Sequence, residues 1–112
     1  MQEATHMKSG EVLWDSIPAG TISESEDGFT FTYYEEYIHS AYPPVSLSLP
    51  KRSEPYTSDT LFPFFDGLIP EGWLLDIAQK TWKIDSRDRM ELLLTCCEST
   101  IGAVHVRRMH NA

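Results

Sequence analysis

The chain has 112 residues, 41% of them apolar and 23% charged, which predicts one globular domain with a single core. Its formal net charge of −8 argues against direct nucleic-acid binding, because an acidic surface repels the phosphate backbone. No segment has the length and apolarity of a membrane span, and no signal-peptide pattern opens the sequence. The adjacent Cys96 and Cys97 cannot pair without strain or supply a four-ligand zinc site, so they indicate reduced thiols in a cytoplasmic protein.

Short strands are predicted in the first third of the chain. Val12, Trp14 and Ile17 alternate and indicate a first strand, followed by a turn over residues 18–20 and a short strand over residues 21–23. The acidic loop after this strand closes with Asp27-Gly28, a typical hairpin sequence. The next segment alternates aromatic residues with threonines from Phe29 to Tyr33, which predicts a strand with one buried face.

The middle of the chain is predicted to contain a helical turn over residues 34–41 and then another strand. Val45, Leu47 and Leu49 alternate with serines, and Pro50 ends the run. This pattern predicts a strand that buries all three apolar side chains on one face. A polar connection is predicted over residues 51–57.

Helical periodicity dominates the second half. A first helix, capped by Ser58, Asp59 or Thr60, is predicted to end before Pro70. A second is predicted over residues 71–83, and a third begins near Asp85 as its N-cap, with an aspartate in its first turn. Their apolar stripes are, in order, Leu61, Phe64, Phe65 and Leu68; Leu74, Ile77, Ala78, Thr81 and Trp82; and Met90, Leu93, Leu94 and Cys97.

These elements, completed by a strand over residues 103–106, predict an α+β domain. It combines a small, mostly antiparallel sheet with about three helices on one face and a final strand. The predicted domain spans residues 11–107, with a flexible N-terminus over residues 1–10 and a C-terminal tail over residues 108–112.

Residue types that support catalysis do not combine into a recognisable site. The sequence has no glycine-rich phosphate loop, and its four histidines show neither an i, i+4 pair nor a carboxylate at ligand spacing. Arg87, Arg89, Arg107 and Arg108 are predicted to form salt bridges or rim contacts, and the acidic runs to be solvated. We therefore predict that the chain is not an enzyme and holds no metal and no cofactor.

Trp73 is the candidate partner-binding residue. On the second predicted helix it lies about 100° from Leu74, outside the apolar stripe and in the first turn. A tryptophan there can anchor an interface, or it can pack back on Ile69 or Phe65 as a staple, and the spacing favours neither. Leu75 lies off the stripe on the opposite flank and can extend an exposed apolar surface. The predicted partner-binding set is Pro70, Glu71, Gly72, Trp73 and Leu75.

Two blocks of sequence carry a resemblance to a known family. Residues 44–50 read Pro-Val-Ser-Leu-Ser-Leu-Pro, and residues 62–72 read Phe-Pro-Phe-Phe-Asp-Gly-Leu-Ile-Pro-Glu-Gly. Shorter blocks at residues 19–22, 28–33 and 101–104 stand in the same order around them. Over most of its length the chain resembles the N-terminal subdomain of HipA-like serine/threonine kinases, the toxins of bacterial HipBA systems.

This resemblance implies a partner rather than an activity. In HipA-like kinases the ATP site and catalytic residues follow this subdomain, so no catalytic residue transfers to this chain. As a separate subdomain it is similar to the HipS antitoxins of tripartite HipBST systems. The likeness implies that it binds a HipT-like kinase toxin in trans and inhibits it. As a mechanism, we hypothesise that Trp73 projects beside the kinase active site and blocks its closure. A HipB-like helix-turn-helix repressor can join such a complex.

Three alternatives stay open at this point. The chain could complete and activate the kinase, or link the kinase to the repressor as an adaptor without inhibiting it. It could also be an unrelated small enzyme, in which case the isolated chain would turn over a substrate.

Overall fold

The computed structural model describes residues 8–69, 88–97 and 102–109. The strands are β1 (Lys8–Trp14), β2 (Ile17–Ser25), β3 (Gly28–Tyr33), β4 (Tyr56–Ser58) and β5 (Val104–Met109). The helices in these ranges are α1 (Glu35–Ile38), α2 (Pro63–Asp66) and α3 (Arg89–Cys96). The strands form one sheet in the order β4-β3-β2-β1-β5, with antiparallel pairing throughout. The predicted α+β class and antiparallel sheet are confirmed, whereas the helix predicted over residues 71–83 lies outside the described residues.

One face of the sheet contributes its side chains to the core, and α2 and α3 cover it. The ring of Phe65 in α2 lies 5.4 Å from the ring of Phe31 in β3, centroid to centroid. A Cβ on Gly10 would lie 2.6 Å from a methyl group of Leu94, so glycine lets α3 pack directly on β1. The buried strand residues of this face are Val12, Ile22, Phe31, Tyr33, Val104 and Val106.

Two hairpins join the first three strands, and only the second is where the sequence predicts it. The β2–β3 turn ends at Gly28, whose φ of +126° confirms the hairpin predicted at Asp27-Gly28. The turn predicted over residues 18–20 is wrong, because β2 runs through these residues and the chain reverses at Asp15 and Ser16. Asp15 takes a φ of 55°, a conformation that aspartate tolerates better than most residues.

The strand predicted over residues 45–49 is also wrong. These residues form a tight turn in which the Leu49 N–H donates to the Ser46 carbonyl at 3.0 Å. Val45 and Leu49 are buried as predicted, but Leu47 at the tip is 95% exposed. The predicted polar connection that follows contains the start of β4, a three-residue strand too short and too polar to give a sequence signal.

The helix limits differ from the predicted ones at both N-termini. Phe62 is the N-cap of α2 and Pro63 its first residue, where a missing N–H costs nothing, so the predicted caps at residues 58–60 are wrong. Asp88 rather than Asp85 caps α3, because its carboxylate accepts the Glu91 N–H at 3.1 Å. The apolar stripe predicted for this helix is confirmed by the burial of Met90, Leu93, Leu94 and Cys97.

The first and last strands of the chain reach the limits of the described residues. β1 begins at Lys8 and β5 continues to Met109, while the domain limits at residues 11 and 107 stay a prediction. Among the helices of the described ranges, none has the length and apolar composition needed to cross a bilayer.

Candidate docking surface

The predicted partner-binding residues all fall outside the described residues, so their placement stays a prediction. They are Pro70, Glu71, Gly72, Trp73 and Leu75. The structure does describe the chain on both sides of them. The Arg89 Nε lies 2.5 Å from a carboxylate oxygen of Asp66, which joins α3 to α2. The Cys97 thiol lies 3.5 Å from the Leu68 carbonyl oxygen and adds a second contact between the same two regions.

A second candidate surface, which the sequence analysis missed, is the loop of residues 42–50, here called the Leu47 loop. The buried hydroxyl of Tyr33 in β3 donates to the Leu49 carbonyl and accepts the Val45 N–H at 3.0 Å. One side chain therefore holds both ends of the turn that carries Leu47. Burial raises the pKa of Tyr33 to about 12, so the hydroxyl stays protonated and able to donate at ordinary pH.

Lys51 holds the beginning of the Leu47 loop. Its Nζ donates to the carbonyl oxygens of Tyr42 at 2.7 Å, Ser40 at 2.9 Å and Tyr37 at 3.4 Å. The Tyr37 hydroxyl adds a hydrogen bond to the Pro43 carbonyl at 2.6 Å. Because backbone groups of an irregular segment must find partners when they leave water, these contacts allow the loop to pack closely without regular secondary structure.

Leu47 projects from this loop with 95% of its surface exposed. The serines on either side shape the tip, since the Ser46 hydroxyl accepts the Ser48 N–H at 3.2 Å and lies 2.9 Å from the Ser48 hydroxyl. No residue from 41 to 50 is charged. The signals that could have indicated a turn are the prolines at both ends of the run and a pair of serines able to bond their own backbone.

Charged side chains cluster where β1, α3 and β5 meet. Lys8 Nζ lies 2.7 Å from Asp88 and 3.5 Å from Glu91, and Arg108 lies 2.7 Å from Glu91. Burial alone would raise the pKa of Glu91, but Arg108 and Lys8 outweigh it and lower that pKa. Burial opposes the charge on Lys8, yet the two carboxylates raise its pKa overall. This cluster ties three elements together.

A second ion pair lies on the other face of the sheet. Arg107 pairs with Glu11 on the neighbouring strand, and the Tyr34 hydroxyl donates to the same carboxylate at 3.0 Å. Arg107 lowers the pKa of Glu11, with a further contribution from Tyr34. Salt bridges are thus confirmed for Arg89, Arg107 and Arg108, and Arg87 lies outside the described residues.

Metal-binding side chains do not assemble in the part of the chain that the structure describes. There, no group of three or more His, Cys, Asp or Glu side chains could hold an ion. His39 does have a carboxylate one helical turn away, with its Nε2 3.5 Å from Glu35, which corrects the statement that no carboxylate stands at ligand spacing. Both side chains are exposed, so this pair is a surface contact.

The described residues thus form a packed antiparallel sheet from which an uncharged loop projects. A family profile described as the HipA N-terminal domain, Couple_hipA, matches residues 10–107. The chain belongs to this family, which confirms the resemblance drawn from its sequence blocks. The matched region is the N-terminal domain alone and does not include a kinase catalytic domain.

Solved and curated proteins agree with this family. A solved structure titled N-terminal domain of HipA toxin is 30% identical, with a TM-score of 0.75 and 100% coverage of both chains. An uncharacterized protein of Haemophilus influenzae is 38% identical over 90% of this chain and 92% of its own length. Y4mE of Sinorhizobium fredii, named as a predicted kinase, is 39% identical over 62 residues, which are 54% of this chain but 15% of Y4mE.

Proposed function

We propose that this chain binds a HipA-like serine/threonine kinase in trans and inhibits it as an antitoxin. The observation that carries the proposal is the family match over residues 10–107. Domains similar to this one occur in a HipA toxin and in a protein named as a kinase. The surface of such a domain is therefore expected to be complementary to a kinase domain. We assign the binding to the domain of residues 11–107 and locate the complex in the cytoplasm.

Inhibition would follow from displacement of the kinase lobes. Phosphoryl transfer requires closely aligned groups, so a small shift of one lobe costs orders of magnitude in rate. Trp73 is the proposed wedge, with Pro70, Glu71, Gly72 and Leu75 beside it. Support for an anchor in this region comes from the buried Ile69 and Phe65 before it, since they fix the point from which the segment leaves α2.

The direct test measures phosphorylation by a HipA-like kinase from the same genome, with and without the purified chain. We expect the rate to fall in proportion to complex formation, and Trp73→Ala to lose most of the inhibition while keeping the fold. Trp82→Ala is a useful comparison, because Trp82 is predicted on the apolar stripe. Its truncation should lower the melting temperature, while the folded protein should still inhibit the kinase. An unchanged kinase rate at saturating chain would contradict the antitoxin role.

The second candidate is a subunit that completes the kinase or links it to a HipB-like repressor. It is favoured by the solved relative, in which the domain is part of the toxin itself. The same assay separates the candidates by sign. Completion predicts a rise in kinase rate, and an adaptor predicts an unchanged rate together with a ternary complex in gel filtration when the repressor is added.

A further inference from the structure

We propose that Leu47 is a second anchor on the kinase, and that it inserts into an apolar pocket of that partner. The inference deepens the proposed function and rests on it, but the contact is different from the one predicted around Trp73. Leu47 lies at the tip of a turn with 95% of its surface exposed, and it is the only exposed leucine among the described residues. The partner surface is therefore expected to be concave where the Leu47 loop is convex.

The position of Leu47 needs an explanation because turn tips favour other residues. Glycine, proline, asparagine, aspartate and serine suit tight turns, whereas leucine offers the turn no hydrogen bond and no special backbone freedom. Single exposed apolar residues are common on protein surfaces, so exposure alone carries little. Leu47, however, lies at the tip of a segment whose backbone is held by hydrogen bonds from Tyr33 and Lys51.

The contacts that hold this segment are hydrogen bonds from side chains to its backbone, and those of Tyr33 are buried. The Tyr33 hydroxyl satisfies the backbone on both sides of the tip, and Lys51 and Tyr37 hold the beginning of the loop. A side chain on a segment that is already ordered loses little further backbone entropy when it binds, which strengthens association. These contacts are thus suited to present Leu47 in a binding-competent position before the partner arrives.

The absence of charge along residues 41–50 also favours burial in an interface. In a chain of net charge −8, a run of ten uncharged residues lowers the desolvation penalty of contact at this surface. Tyr42, which stacks on Tyr37 with ring centroids 5.9 Å apart, is 41% exposed and adds apolar area within the same loop. The centres of protein interfaces are similarly depleted of charged residues.

The kinase is favoured over a second copy of this chain as the occupant. A leucine that docks on a copy needs apolar surface there to receive it, and Tyr42 and Met109 are the other large apolar side chains exposed within the described ranges. Met109 lies on β5, at the edge of the sheet opposite β4, and Tyr42 belongs to the Leu47 loop itself. By contrast, a similar sequence occurs within Y4mE, a protein named as a kinase, which favours a kinase as the partner.

The experiment is a binding titration, by calorimetry, of the full chain against the HipA-like kinase used in the inhibition assay. Leu47→Ala should raise the Kd about tenfold or more, because truncating a buried apolar anchor removes most of its contact. Leu47→Lys should raise it further by placing a charge in an apolar pocket. Met109→Ala on β5, outside the Leu47 loop, is the exposed apolar control and should keep the Kd within about twofold. Thermal unfolding of each variant should match the wild type, since Leu47 contacts little of its own chain.

Each outcome decides between the two proposals. Wild-type Kd values for Leu47→Ala and Leu47→Lys would overturn the second anchor and leave the kinase-binding proposal intact. Failure of the wild-type chain to bind the kinase would remove both. A wild-type dimer in sedimentation that Leu47→Lys converts to a monomer would make a second copy the occupant, and would overturn the proposed kinase pocket.

Discussion

The sheet and the Leu47 loop meet at β3 but are stabilised by different interactions. Side chains such as Ile22 and Phe31 hold the sheet, because the apolar face that they form is fully buried under α2 and α3. The Leu47 loop has two buried apolar contacts, Val45 and Leu49, and depends on hydrogen bonds from Tyr33 and Lys51 to its backbone. Truncation of a buried apolar side chain should therefore destabilise the sheet core most. Removal of a single hydrogen-bonding group should destabilise the loop most.

The largest effect is expected from Phe65→Ala in α2. Phe65 is fully buried, and its ring lies within 5.4 Å of the Phe31 ring, so truncation removes buried area and leaves a cavity under β3. We expect a loss of about 3–5 kcal/mol in the free energy of unfolding, measured by urea denaturation. Phe64→Ala is the matched control on the same helix, and since Phe64 is half-buried it should cost less. Equal losses for both variants would contradict the assignment of Phe65 to the core.

Tyr33→Phe should give the next largest effect and should act on the loop. The ring remains, but the buried Val45 N–H and Leu49 carbonyl lose their shared partner. We expect a loss of about 1–3 kcal/mol in the free energy of unfolding and faster hydrogen exchange at the Val45 amide. Tyr34→Phe removes a hydroxyl that donates to the Glu11 carboxylate, which keeps Arg107 as a second partner, and should change stability less. A Val45 amide that exchanges as in the wild type would show that the tyrosine does not hold the turn.

The difference between the two regions also explains what the sequence could predict. Local sequence signals were sufficient for the centre of the sheet. The alternation from Phe29 to Tyr33 predicted β3, and Gly28 predicted the hairpin before it. The conformation of the Leu47 loop depends on Tyr33, which lies 12 residues before Val45 and 16 before Leu49. The same alternation fits a strand with three buried residues and a turn that buries its two ends and exposes its middle. Leu47 was therefore predicted to be buried, whereas it is exposed.

The candidate site divides in the same way. Helical periodicity singled out Trp73 from local spacing alone, and that prediction stays untested because its segment lies outside the described residues. Leu47 could not be found from spacing, since its exposure results from contacts between β3, Lys51 and the loop. The Asp15 turn was missed for a related reason, because a non-glycine residue with φ of 55° leaves no clear sequence signal.

Lys51→Met should have a smaller effect and tests whether charge-assisted hydrogen bonds hold the beginning of the loop. Methionine keeps much of the apolar stem but removes the donors to three carbonyl groups. Water can reach part of this site, so we expect a loss of about 1 kcal/mol in the free energy of unfolding. Arg52→Met is the neighbouring control, since Arg52 is exposed, donates to the nearby carbonyls of Glu54 and Pro55, and lies over the Tyr56 ring at 3.7 Å from its centroid. If both variants cost the same, Lys51 has no special role in the loop.

The smallest effect is expected from the ion cluster around Glu91, which joins the helix α3 to the sheet. The folded-state pKa of Glu91 is lowered by Arg108 and Lys8 against the opposing effect of burial. A carboxyl group with a lowered folded pKa stabilises the protein above its unfolded value of 4.5, and this stabilisation disappears as the pH falls through the folded pKa. Glu91→Gln should therefore cost about 1 kcal/mol or less at pH 7, and should flatten the decrease in melting temperature between neutral pH and pH 3. Glu26→Gln, at the exposed β2–β3 turn, is the control and should keep the wild-type acid slope. Should Glu91→Gln keep that slope as well, the acid sensitivity would have to come from other carboxylates, with Glu11 the next to test because Arg107 also lowers its pKa.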